Sequence, residues 1–252
     1  RTRRQRQMCI RDSYKTLKNC MHDVDYVFHL AAEARIQPAI KNPIEAVSIN
    51  SLGTCTVLQC AREAGVKKVM YSSTSSGYGL NPHPNVETQP DDCLNPYSVS
   101  KCSQDQLVYS YGKAYGISAI RTRMFTYLNP RRADLFATSF ARQIVSIEMG
   151  NEKILKHGNL NSLRTLIDVR DAMDCYIDVA LYGKIGEVYN LGGKNALLVG
   201  DFLKMLVKLS SSKIHYEPDP KLFRPVDITL QVPDTNKFER LNGWEPIYSL
   251  EE

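Results

Sequence analysis

Tyr97 and Lys101 stand four residues apart in the run Tyr97-Ser98-Val99-Ser100-Lys101. On a helix that spacing puts a phenol and an amine on one face. A phenol with a pKa of about 10 exchanges protons poorly at neutral pH. A cation one turn away stabilises the phenolate and lowers that value. The pair then suits proton transfer to or from a hydroxyl while a cofactor takes or gives hydride. The spacing alone is weak evidence, because the chain holds 14 tyrosines and a surface Tyr–Lys pair is the plain alternative. A second group of chemistry-bearing residues lies upstream in the run from Tyr71 to Gly79, which includes Ser72, Ser73, Thr74, Ser75 and Ser76. It follows a short β-type segment, and the C-terminal ends of such strands are where open α/β sheets bind ligands. A hydroxyl placed there can bond a substrate oxygen; a serine-rich turn is the plain alternative.

The elements that must position these groups follow from the pattern of apolar and turn residues. Residues 14–23 read as the end of a helix. Residues 24–30, VDYVFHL, are rich in β-branched and aromatic side chains and predict a buried strand. Asn42-Pro43 predicts a helix start with Asn42 as cap, and Gly65 predicts its end; Ile44, Val47, Leu52, Val57, Leu58 and Ala61 form its apolar face. A strand at 67–72, a polar loop at 79–95, a helix from Pro96 to about Ala114, a strand at 117–124 and a helix at 134–149 follow. Strand and helix thus alternate over the first 150 residues, the order expected of a parallel sheet covered by helices on both faces. Shorter elements then predict a smaller mixed lobe interleaved with the sheet: strands at 153–157, 164–168, 187–191 and 213–216, and helices at 169–181 and 199–209. The expected division is 14–150 for the dinucleotide-binding domain and 151–252 mainly for the lobe.

Composition excludes several classes of protein. At 252 residues with 43% hydrophobic and 23% charged residues, the chain can bury one sizeable core. No apolar run reaches the ~20 residues of a membrane helix, and no secretory signal is seen. Residues 1–13 hold five arginines and one acid, which accounts for +4 of the formal net charge of +5. The remainder is nearly neutral, so neither a nucleic-acid nor a membrane partner is expected. The string RRQRQMCIRDS within the arm resembles a translated sequencing adapter and is set apart from the fold. Seven scattered cysteines form no CxxC pair, which predicts no metal site, no disulfide framework and a cytoplasmic location with reduced thiols.

Several short motifs in one order carry a family resemblance. His29-Leu30-Ala31-Ala32, Asn50 in Asn50-Ser51-Leu52-Gly53-Thr54, Thr74 in the hydroxyl run and the Tyr97–Lys101 pair together resemble the extended short-chain dehydrogenase/reductases, the NAD-dependent epimerase/dehydratase family. The resemblance covers nearly all of the chain beyond the arm. It implies an α/β fold with a Rossmann-type doubly wound parallel sheet and a substrate lobe. It further implies NAD or NADP as cofactor, with Leu30, Ala31, Ala32, Asn50, Ser72, Ser73, Tyr97 and Lys101 beside it. Thr74, Tyr97 and Lys101 take the catalytic positions, with Ser76 at a fourth. Gly158–Arg164 and Arg224-Pro225-Val226-Asp227 are similar to the segments that hold a nucleotide sugar. Asn159, Arg164, Arg224 and Thr126 are therefore the expected substrate contacts, since a guanidinium fork matches a diphosphate. Gly243-Trp244-Glu245-Pro246 resembles the family's closing motif, which is read as packing.

The segment from Phe125 to Arg132, FTYLNPRR, is similar to one in the GDP-mannose 4,6-dehydratases, and other segments are shared with the GDP-4-keto-6-deoxymannose reductases. A GDP-hexose is the substrate this implies. Two positions depart from the dehydratase pattern: Ser76 stands where that family has the glutamate that removes the C5 proton, and Thr126 where it has asparagine. A neutral hydroxyl does not readily abstract a carbon-bound proton. The departures favour an epimerase or 4-keto reductase over a dehydratase; a non-catalytic dinucleotide-binding module and an inactive fragment are the other readings. The glycine-rich dinucleotide fingerprint expected at the first strand–helix turn is not found before residue 24. The first βαβ units are accordingly expected to be missing through truncation, leaving NAD and NADP undistinguished. The family also implies a homodimer through the helices near 42–64 and 96–114.

Overall fold

The computed structural model describes residues 14–223 and 226–250, so the arginine-rich arm and Arg224 lie outside the described residues. Helix α1 (Tyr14–Cys20) leads into strand β1 (Tyr26–His29). Helices α2 (Ile36–Lys41) and α3 (Pro43–Val47) follow, then a wider π turn at Ser48–Leu52 that runs into α4 (Gly53–Ala64). Strand β2 (Lys68–Thr74) ends in a 3-10 turn at Ser75–Tyr78, and α5 (Pro96–Tyr115) leads to β3 (Ala119–Met124). Next come β4 (Tyr127–Leu128), α6 (Phe136–Glu148), β5 (Leu155–His157), β6 (Leu163–Thr165) and β7 (Ile167–Asp168). Helix α7 (Val169–Tyr182), β8 (Val188–Leu191), β9 (Ala196–Leu198), α8 (Val199–Leu209), β10 (Tyr216–Pro218), β11 (Leu230–Gln231) and α9 (Asn236–Glu239) complete the described chain.

The main sheet has the order β1-β2-β3-β8, and every pair in it is parallel. Alternate side chains of β2 point to opposite faces, as the pleat requires. Val69 and Tyr71 pack with Val57, Leu58 and Val108 of α4 and α5 on one side. Met70 packs with Cys175, Tyr176 and Val179 of α7 and with Phe238 and Trp244 on the other. Trp244 therefore does what its motif suggested and fills the core. A third core joins α6, β5 and α8 through Phe140, Ile144, Leu155, Phe202 and Leu203. Because α7 and β8 belong to the main sheet while α6 belongs to this third core, the two halves interleave along the sequence.

The cap expected of Asn42 is not made: its side chain bonds no helical amide. Asn42 is instead the C-cap of α2 and the N-cap of α3 at once, and its backbone N–H closes α2 on the Pro38 carbonyl. Helix α2, with Pro38 in its interior, was not visible in the apolar pattern. Helix α5 behaves as read. The Asn95 side chain accepts from the Ser98 N–H at 2.9 Å and Ser98 Oγ accepts from the Asn95 N–H at 3.2 Å. Pro96 follows the cap, and Gly116 ends the helix at φ 71°.

Candidate active site

The C-terminal ends of β1, β2 and β3, the start of α5 and the loop after β4 surround a cavity of about 690 Å³. Thr74 and Ser76 reach its wall because β2 ends there and the chain turns through Ser75–Tyr78; Thr74 Oγ1 accepts from the Ser76 N–H at 3.2 Å. Tyr97 and Lys101 reach the same wall from successive turns of α5 and are 8% and 5% exposed. Leu30, Ala32, Ser72, Ser73 and Thr126 also line it. One cavity thus brings together nine of the residues singled out in the sequence.

Burial raises the Tyr97 phenol above its ordinary value; hydrogen bonding with Thr74 and the charge of Arg132 pull it back down. Lys101 takes a position that its spacing did not foretell. Its Nζ donates to the Ser72 carbonyl at 2.6 Å and lies 4.6 Å from the centre of the Tyr71 ring. Burial lowers its pKa to about 7, so it titrates near neutrality, with Asp105 opposing the fall. Arg132 is the cation acting on Tyr97, held by Asp134 through Nη2 at 2.8 Å and Nε at 3.3 Å. Asp134, the one carboxylate on this cavity wall, is held below the usual carboxylate range by that same arginine.

Asn50, Ala31, Asn159 and Arg164 are not among the residues of the cavity wall. Asn50 sits in the π turn and is fully buried, accepting from the Glu33 N–H at 2.8 Å and donating to Ser100 Oγ at 2.8 Å. It ties the loop after β1 to the helix that carries Tyr97. Asn159 donates to Asp227 at 3.0 Å. Arg164 donates to the Leu163 carbonyl at 2.8 Å and to the Ile228 carbonyl at 2.5 Å. Tyr176 of α7, whose hydroxyl lies 2.7 Å from Ser72 Oγ, had no signal in the sequence; Arg132 lies in the FTYLNPRR segment, which marked it without placing it beside Tyr97. The apolar pattern of α7 marks Tyr176 as core, and only the fold shows that its hydroxyl end reaches the cavity. No cluster able to hold a metal ion exists among the described residues. Within the same bounds, no helix is long and apolar enough to cross a membrane.

A parallel sheet that presents a threonine at a strand end, beside a tyrosine and a lysine on successive turns of a helix, has the architecture of the short-chain dehydrogenase/reductases. Residues 7–252 match the family model described as GDP-mannose 4,6 dehydratase, and the chain belongs to that family. It is 29% identical to a GDP-mannose 4,6-dehydratase of Sordaria araneosa, over 90% of this chain and 46% of that protein. It is 26% identical to a GDP-6-deoxy-D-mannose reductase of Pseudomonas aeruginosa, over 90% of this chain and 77% of that protein. Among solved structures, it resembles the UDP-glucuronic acid 4-epimerase of Bacillus cereus in complex with UDP-glucuronic acid and NAD. There the TM-score is 0.86 at 26% identity, covering 95% of this chain and 76% of the other. The chain thus spans under half the length of the first of these relatives.

Proposed function

We propose that the protein is an epimerase or 4-keto reductase of a nucleotide sugar, with a GDP-hexose as substrate and NAD or NADP as hydride carrier. The observation that carries this reading is the convergence of Thr74, Tyr97 and Lys101 on one cavity wall. The wall fits a nicotinamide nucleotide by its chemistry. Ser72, Ser73 and Lys101 offer hydroxyl and amine groups suited to a ribose, and Leu30 and Ala32 offer apolar contact for a ring. What such a nicotinamide supplies when bound is hydride exchange with a sugar carbon.

The chain's own part is to move the proton. Tyr97 takes it from the sugar hydroxyl, or returns it to the keto oxygen, at its phenolic oxygen. Thr74 bonds the same sugar oxygen and orients it. Arg132 sets the charge around the phenol, while the Lys101 amine, bonded to the Ser72 carbonyl, is charged fully only below pH of about 7. Asn159, Arg164 and Arg224 are proposed to hold the nucleotide diphosphate, with Arg164 exchanging its carbonyl partners for phosphate oxygens.

Family membership favours a second reading, dehydration of GDP-mannose. Ser76 weighs against it, and so does Asp134, which as a base is weakened by its arginine. The test is NMR of purified protein with GDP-, UDP- and dTDP-hexoses plus NAD or NADP, or with their 4-keto derivatives plus NADH or NADPH. New epimer or reduced-sugar signals are expected from a GDP-sugar, and none in Tyr97→Phe. Absence of turnover on every donor overturns the enzyme reading. Efficient loss of water from GDP-mannose by the unaltered chain overturns the preference based on Ser76; on that preference, Ser76→Glu gains elimination.

A homodimer through α3 to α5 is supported by exposed Ile44, Leu52, Val99 and Tyr109 on those segments. We also propose the division at residue 150 into dinucleotide-binding and substrate parts, a cytoplasmic location, and no nucleic-acid partner.

A further inference from the structure

Two cysteines that no sequence motif joins meet behind the cavity wall. Cys93 lies near the end of the loop 79–95, two residues before the Asn95 cap; Cys102 lies in α5, next to Lys101. Their sulfurs are 3.0 Å apart. Both thiols are free and half-buried. The backbones that carry them are anchored independently. The Asp92 N–H donates to the Gly77 carbonyl at 2.8 Å, and Asp92 Oδ2 accepts from the Leu80 N–H at 2.8 Å. On the other side, the reciprocal cap between Asn95 and Ser98 holds the start of α5. Gly77 leaves the space for the Cys102 sulfur: a Cβ there would stand 2.7 Å from it.

We propose that Cys93 and Cys102 form a reversible disulfide, a redox clasp that fastens the 79–95 loop to the helix carrying Tyr97 and Lys101. The sulfurs need to approach by only about 1 Å to reach a bond of about 2.05 Å. The Cys102 thiol, by hydrogen bonding, holds Cys93 below the ordinary thiol range, while Cys102 itself is pushed up by that partner. Cys93 is then the attacking sulfur and Cys102 the resolving one. With hydrogen peroxide as oxidant, the Cys93 thiolate attacks one oxygen, the O–O bond breaks, and a sulfenic acid and hydroxide form. The Cys102 sulfur next displaces the sulfenic oxygen, and the S–S bond forms. In sum, two thiols and one peroxide become one disulfide and two waters, two electrons passing from sulfur to oxygen. Two other thiols lack this poise: Cys60 and Cys175 are buried, and burial raises both.

The test uses the full chain, treated with hydrogen peroxide while folded and again in guanidinium, then alkylated and cut with trypsin without reduction. The expected product joins peptides 69–101 and 102–113, which hold Cys93 and Cys102 as their only cysteines. It should weigh 2 Da less than their sum, separate with dithiothreitol, and be at least about fivefold enriched over the denatured sample. Cys93→Ser and Cys102→Ser should each abolish it. Hydrogen exchange of residues 79–95 should slow on oxidation and recover on reduction. Separate peptides after other cysteines have oxidised, or the same pairing pattern folded and denatured, overturn the proposal. A disulfide that leaves exchange in the loop unchanged overturns its role as a clasp. None of these outcomes depends on which sugar the protein converts.

Discussion

The wall of the cavity and the small sheet of the C-terminal half treat their polar side chains in opposite ways. At the end of β2 and along α5, Thr74, Ser76, Tyr97 and Lys101 turn toward a shared space. In and beside the sheet β11-β6-β9, Asn159 is held by Asp227, and Arg164 by two backbone carbonyls. The difference lies in how each region is supported. Strand β2 has seven residues paired on both edges, and α5 has twenty residues capped at both ends. Their backbones are held mainly by their own long ladders, with side-chain help such as the Asn95–Ser98 cap and the Lys101 bond to the Ser72 carbonyl. The strands around Arg164 have two or three residues each, so side chains supply bonds that such short ladders lack. If the proposed roles hold, the two regions carry different costs of use: the wall is ready, whereas Arg164 must exchange its carbonyl partners for a ligand.

Substitutions can break or sharpen that contrast. The largest effect is expected from Tyr97→Phe, which should lower kcat by about 10²–10⁴-fold while leaving dinucleotide binding nearly unchanged, as read by turnover and by titration calorimetry. If kcat survives, the wall is not the reacting surface.

Lys101→Met gives the next test, through pH. The folded value of Lys101, about 7, lies below its ordinary 10.5, so the unfolded chain binds more protons between those limits. Wild-type stability should therefore rise with pH from about 7 to about 10.5, and the burial penalty is fully present below 7. The Tm of Lys101→Met relative to wild type should be highest at pH 6 and fall as pH approaches 10. A difference that does not vary with pH would remove the claim of a buried, depressed amine.

Arg164→Ala should cost about 1–3 kcal/mol in urea unfolding, because two carbonyls lose a charged donor. If stability is unchanged while KM for the nucleotide sugar rises tenfold, the arginine is free for ligand and the contrast between the regions fails. The smallest effect is expected from Thr74→Val. Without Thr74's hydrogen bond the Tyr97 phenol should titrate higher, so the limb of the kcat profile that needs phenolate moves to higher pH. The accompanying loss in kcat should be about tenfold at neutral pH.

Much of this was legible in the residues because it rests on local rules. Asn95-Pro96 and Gly116 bound α5, and the alternation of strand and helix marks the parallel sheet. The Tyr97–Lys101 spacing and the hydroxyl run from Ser72 to Ser76 name seven residues of the wall. What escaped was non-local or too short to show a period. Helix α2 contains a proline, β4 and β11 have two residues each, and Asn42 has its backbone recruited by α2 before its side chain can cap α3.

By itself, then, the sequence determined which residues could do proton chemistry and the order of the elements that carry them. Those depend on side-chain type and on spacing within one helix or strand. Only the tertiary structure decided which cation faces Tyr97, where the Lys101 amine points, that Tyr176 meets Ser72, and that Cys93 meets Cys102. Each of these depends on packing between elements distant in sequence or across an irregular loop, where burial and competing hydrogen-bond partners, not spacing, set the outcome.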